Sequence, residues 1–210
     1  MALAACVRLA MTIPNGQRWM FVAIGLGIPL SAWGALYPSN TWLQVGPVVI
    51  ALPFAWRALA RAPISDASAA CIAAFVVLHL FAARWSYSFV PYDAWLPALT
   101  TERNHFDRLV HFAFGVLAMA PMGEAGVRYW GLSPRMAQAF AIAFVLAAGG
   151  LYEIFEWALT LALAPADAGA YNGEQGDRFD AQKDMALAGL GAVLAVPLVR
   201  RADWWKGTQR

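Results

Sequence analysis

The chain has 210 residues, 60% of them hydrophobic and 13% charged, with a formal net charge of +2. An ordinary soluble domain is roughly 25% charged, so this chain has too few charges to cover a water-facing surface, and its apolar excess must face lipid. The same composition excludes disordered, collagen-like and disulfide-scaffold classes, and no basic run suggests nucleic acid.

Apolar stretches predict membrane spans at 19–36, 42–59, 68–85, 105–122, 136–163 and 183–200. A helix crossing the hydrocarbon core needs about 20 residues. The first run stops at Tyr37-Pro38, and the second is stopped by Arg57 and Arg61. The third is interrupted only by His79. The fourth carries Asp107, Arg108 and His111 at its start, and the fifth holds Glu153 and Glu156. The sixth closes on Arg200-Arg201. The runs are continuous rather than alternating, so helices are expected and not barrel strands. The first run is longer than a signal-peptide core, which favours a retained helix. The expected fold is an all-α polytopic bundle of about six spans, one integral membrane domain over 1–210. Loops 84–105 and 164–182 are long, and 164–176, with its Ala, Gly, Asp and Pro, reads as flexible.

Ten of the fifteen Lys and Arg residues fall at the ends and loops of one side: Arg8, Arg18, Arg57, Arg61, Arg128, Arg135, Arg200, Arg201, Lys206 and Arg210. The positive-inside rule makes that side cytoplasmic, with both termini there. Cys6 and Cys71 fall on it too, stand at no metal-ligand spacing, and are not expected to form a disulfide. Most tryptophans lie near expected helix ends as an interface belt. Trp157, beside Glu156, is the exception and is read as a wall between the polar residues and lipid.

With this topology the polar residues within the spans gather near the outer boundary. His79 is late in an outward-running helix, Asp107 and His111 are early in an inward-running one, and Glu153 and Glu156 are late in the next outward one. Asp177, Asp180 and Asp184 lead into the last. The i,i+4 pair Asp107/His111 and the i,i+3 pair Glu153/Glu156 each share a helix face. Asp177, Asp180 and Asp184 form one stripe if the helix begins by Asp177, with Gly176 allowing a tight turn before it. So many carboxylates at a low-dielectric boundary cannot all ionise unaided. Each motif also has a structural reading: interhelical pairing with Arg108, Arg178 or Lys183, an N-cap at Asp177, or, for His79, a satisfied core histidine. Ionisable residues inside a membrane are functional by default, and three acidic motifs at one depth favour a site.

The runs His105-Phe106-Asp107-Arg108-Leu109-Val110-His111-Phe112, Tyr152-Glu153-Ile154-Phe155-Glu156-Trp157 and 173–185 resemble the bacterial inner-membrane family that includes YjdF. His79, Tyr87 and Pro91 resemble its His–Tyr–Pro segment. Lys183 departs from the pattern, standing where the family typically has Trp. More distantly the chain resembles VanZ-like membrane proteins. The resemblance implies a multi-span protein of the bacterial inner membrane with a shared polar site, and supplies no reaction.

Three functions compete. The leading one is a metal-dependent hydrolase or transferase acting on a lipid headgroup or envelope precursor. In it a divalent cation is held by His111, Glu153, Glu156, Asp180, Asp184 and, as a further candidate, His79, with Asp107 or Asp177 as general base or orienting group. The alternatives are a structural or interaction protein with an acidic network, and a proton- or cation-coupled carrier. Against the carrier, the inner half holds few polar residues to continue a path. Neither a Gly-x-Ser-x-Gly elbow nor a P-loop is present.

Overall fold

Residues 13–96 and 102–201 are described by a computed structural model. Cys6, Arg8, Asp203, Lys206, Arg210 and the Trp204-Trp205 pair therefore lie outside the described residues. In chain order the helices are α1 (Asn15–Ala32), α2 (Pro38–Arg61), α3 (Asp66–Ala83), α4 (Tyr92–Trp95), α5 (Phe106–Trp130), α6 (Pro134–Ala162), α7 (Pro165–Asn172) and α8 (Asp180–Arg201). No strand occurs among the described residues. The protein is an all-α polytopic membrane bundle.

Five of these helices, α2, α3, α5, α6 and α8, are long and apolar enough to cross a membrane by length and composition. Helix α1 falls short of that apolarity because its first turn holds Asn15, Gln17 and Arg18. It nevertheless packs along α3 and takes the sixth place in the bundle. It ends at Ala32, where the chain turns through Gly34 at φ 62°, so 33–36 lie beyond it.

Local sequence explains the other boundaries. Ser65 and Ser133 cap α3 and α6, accepting from the backbone N–H groups of Ser68 and Met136. Prolines open α2, α6 and α7, where a missing N–H costs nothing. Left-handed glycines end α5 (Gly131) and α7 (Gly173). Residues 165–172, expected to be flexible, form α7 between such a proline and such a glycine. Helix α5 runs on to Trp130, past the expected end at 122. The polar groups in that extension are satisfied: Glu124 Oε1 pairs with Arg128 Nη1 at 3.1 Å.

The main core lies where α5, α6 and α8 meet, around Met119, Ala141, Val145, Ala188 and Ala192. A second cluster, Ile24, Val45, Leu80 and Ala83, joins α1, α2 and α3, and Ala82, Tyr87 and Val110 link α3 to α5. Large apolar side chains such as Ile50, Phe54, Leu161 and Leu198 point outward, the pattern of a lipid-facing surface rather than a soluble one. Trp19, Trp42, Trp95 and Trp130 are exposed near helix ends. Trp157, read as a wall over the polar residues, instead turns outward with 62% of its surface exposed.

Candidate functional site

The α5–α8 pair is the most intimate in the bundle, and two glycines make it so. A Cβ on Gly115 would lie 1.9 Å from the Ala188 carbonyl oxygen, and one on Gly191 would lie 2.3 Å from that of Phe112. Small residues let membrane helices approach this closely. Gly115 is one turn below His111, and Ala188 is one turn below Asp184. The close crossing therefore brings the face carrying Asp107 and His111 against the face carrying Asp184.

The result is a buried group of Asp107, His111 and Asp184, whose candidate ligand atoms all lie within 4.8 Å of one another. Helix α6 adds Glu153, with Oε1 3.7 Å from His111 Nε2. The same imidazole nitrogen lies 3.7 Å from Asp107 Oδ1. Asp184 is only 2% exposed. Its Oδ1, like Glu153 Oε1, has no hydrogen-bond partner among the described residues. A buried carboxylate oxygen left so is costly. Glu156, one turn further along α6, is also buried.

Asp177 and Asp180 are placed differently. Helix α8 starts at Asp180, so Asp177 is not part of a helical stripe but of the turn before it. Its Oδ1 accepts from the Phe179 N–H at 3.1 Å, and Gly176 precedes it at φ 80°. Asp177 Oδ2 pairs with Lys183 Nζ at 2.5 Å and Arg108 Nη2 at 2.7 Å. Asp180 Oδ1 takes Arg103 Nη2 at 2.5 Å and Arg108 Nη2 at 3.2 Å. Lys183, the Phe179 N–H and Arg108 hold the Asp177 carboxyl well below the usual carboxylate range. Partial burial, with Arg108 and Arg103 nearby, lowers the neighbouring His105 imidazole. The two aspartates thus form a cation-paired layer over the buried group.

His79 is engaged at both nitrogens. Nε2 lies 3.1 Å from the Gln44 carbonyl oxygen, which can only accept, so Nε2 carries the proton. Nδ1 then accepts from the Tyr87 hydroxyl. Tyr87 and Ser86 sit at φ 57° and 44°, in the left-handed region that is strained for such side chains. Burial pushes the Tyr87 hydroxyl well above its usual range, and Tyr171 of α7 to about 12.

Two loops close this end of the bundle. Arg103 donates to the carbonyls of Gly173 and Glu174. The Gln175 amide accepts from the Asn104 N–H and donates to its carbonyl. Ser88 Oγ donates to the Gly173 carbonyl at 3.3 Å, and a Cβ on Gly173 would lie 2.1 Å from that hydroxyl. From the sequence, Arg103 is only a loop charge, and Ser88 and Gly115 carry no signal of their own. The position of Gly115 one turn after His111 is the only hint of the helix contact.

The opposite end holds a separate network. Glu124, 2% exposed, accepts from the Ser65 N–H at 2.8 Å and from the Ser65 and Ser68 hydroxyls at 2.6 Å each. Gln17 Nε2 donates to Asp66 Oδ1 at 2.9 Å, tying the start of α1 to that of α3.

Comparison with known proteins agrees with this architecture. Residues 16–203 match a family model described as "Predicted membrane protein (DUF2238)". The chain is 31% identical over 167 residues to the inner membrane protein YjdF of Escherichia coli (strain K12), covering 77% of this chain and 78% of that protein. No solved structure matches it. On the family match and this identity, the chain belongs to the DUF2238 family of membrane proteins.

Proposed function

We propose that this protein is a metal-dependent hydrolase or transferase of the inner membrane, acting on a lipid headgroup or an envelope precursor at the outer membrane boundary. The observation that carries the reading is the convergence of Asp107, His111, Asp184 and Glu153 from three helices, with oxygens on Asp184 and Glu153 that accept no hydrogen bond among the described residues. Two or three carboxylates and one imidazole suit a hard or borderline divalent cation. Asp107, His111 and Asp184 are the ligand set, with Glu153 as the fourth candidate. A cation held there would polarise a phosphoryl or carbonyl oxygen.

The other expected site residues take supporting roles. Glu156, buried one turn along α6 from Glu153, would accept a proton near the group. Asp177 and Asp180 hold Arg103 and Arg108 over it, a charge arrangement suited to an anionic headgroup. His79 positions Tyr87 and the α2 backbone rather than ligating. The bilayer is the medium, and the positive-inside count supports both termini in the cytoplasm. The ion pairs of Asp177 and Asp180 also favour a structural network, the competing reading. Glu124, tied up at the opposite end, leaves little for a carrier's path. The test is metal content of the purified protein with Asp184→Asn, which keeps side-chain shape and removes charge.

A further inference from the structure

Between α1, α2 and α3 lies a cavity of about 510 Å³. It reaches from Gln44 and His79 at the polar-site end to Leu59 and Gln17 at the other, and its walls are almost wholly aliphatic and aromatic. From Gln44 to Leu59, fifteen steps of helix, is about 22 Å. One leaflet of the hydrocarbon core is about 15 Å, half of ~30 Å. The cavity is thus deep enough for an extended hydrocarbon chain.

Its upper end is not apolar. Gln44 is 3% exposed and lines the cavity, and neither the nitrogen nor the oxygen of its side-chain amide has a hydrogen-bond partner among the described residues. A buried primary amide with donors and acceptor both unused is costly unless a ligand engages it. Beside it, His79, Phe75 and Tyr152 also line a second cavity of about 280 Å³, which reaches His111. The two cavities thus share the wall formed by Phe75, His79 and Tyr152, and the second borders the buried group at His111. On the water side the Arg103–Glu174 and Asn104–Gln175 contacts lie across the group.

We propose that the α1–α2–α3 cavity holds one hydrocarbon chain of a bilayer phospholipid, with the Gln44 amide donating to its ester carbonyl and the headgroup directed past His79 toward His111. The cavity is deep enough for the chain, Gln44 suits the linkage, and the polar group beyond suits the headgroup. The proposal rests on the reading of the polar site as a reaction centre only for what becomes of the headgroup.

The experiment uses the full-length protein in phosphatidylethanolamine vesicles doped with a phospholipid carrying a photoactivatable diazirine midway along one chain. After irradiation, labelled residues are mapped by mass spectrometry. Labelling should concentrate several-fold on Leu52, Ala73 and Val76 over the outward-facing Ile50, Phe54 and Val77. Ala55→Phe and Ala73→Phe, each filling the cavity, should cut labelling of the remaining cavity residues at least fivefold with melting temperature retained. Gln44→Leu should weaken it several-fold. Even labelling of cavity and outer residues in the wild type would overturn the proposal, as would labelling that survives both Phe variants. Metal content is measured on the same samples, and Asp184→Asn should keep the chain labelling. A metal-free protein with focused labelling sinks the metal reading alone, and a metal-loaded protein with even labelling sinks the lipid cavity alone.

Discussion

Gly115 of α5 and Ala188 of α8 lie so close that a single added Cβ would fall 1.9 Å from the alanine carbonyl oxygen. Backbone stands on both sides of this contact, so a larger side chain has no flexible neighbour to displace. The contact sits one turn from His111 on α5 and one turn from Asp184 on α8. It is what sets the distance between them.

Gly115→Leu should therefore separate α5 from α8 and disperse the buried group. Overpacking a core costs about 1–3 kcal/mol, and the backbone clash puts this variant at or above the upper end. Thermal melting in detergent should fall, and Cys residues placed at Asp107 and Asp184 should lose their short-reagent crosslink. An unchanged crosslink would mean that the glycine does not set the geometry.

At the opposite end, Glu124→Ala removes the acceptor of the Ser65 and Ser68 hydroxyls and the Ser65 N–H. Leaving such donors buried without partners costs about 1–3 kcal/mol. Melting should fall while metal content per folded protein stays at the wild-type level, because this network is remote from His111.

The Asp177 carboxyl, held low by Lys183, the Phe179 N–H and Arg108, gives a pH signature. Its folded-state pKa is depressed. Its stabilising contribution is therefore fully present above the ordinary aspartate value of about 3.9 and is lost as pH falls toward the depressed folded value. Asp177→Asn should flatten the acid limb of a melting-temperature profile below about pH 5. Lys183→Met should move that limb to higher pH, since the strongest contact is gone. Identical acid limbs in wild type and both variants would contradict this assignment.

Orientation is open to reporter fusions. Fusions after Arg61, Arg135 and Arg210 should report the cytoplasm, and those after Glu102 and Ala168 the outside. An external signal after Arg210 would overturn the placement of both termini inside.

Much of this arrangement is legible in the sequence because membrane helices leave few alternatives. Apolar run length gives the helices, and i,i+3 and i,i+4 spacing gives the faces of Asp107/His111 and Glu153/Glu156. Depth then follows from topology. Asp177 fits one stripe with Asp180 and Asp184 only if the helix begins by Asp177, and spacing alone does not separate that from an N-cap; the helix begins at Asp180. The Asp177 side chain takes the Phe179 N–H instead, and Gly176 turns the chain. The 164–176 loop reads as flexible from composition, although Pro165 and Gly173 are also the start and stop signals of a short helix. His79 could not be resolved from spacing, since its partners, the Gln44 carbonyl and Tyr87, come from other segments. The Arg103 contact depends on two loops meeting, which no local pattern encodes.

The central claim, that a divalent cation is held by Asp107, His111 and Asp184 with Glu153, is tested most directly by elemental analysis of the protein purified without chelator, beside Asp184→Asn. The account predicts close to one equivalent of a divalent metal per chain in the wild type. The metal should be lost in the variant, and a chelator should lower wild-type melting because a ligand bound only to the folded state stabilises it. A metal-free wild type whose melting does not move when divalent cations are added would contradict it.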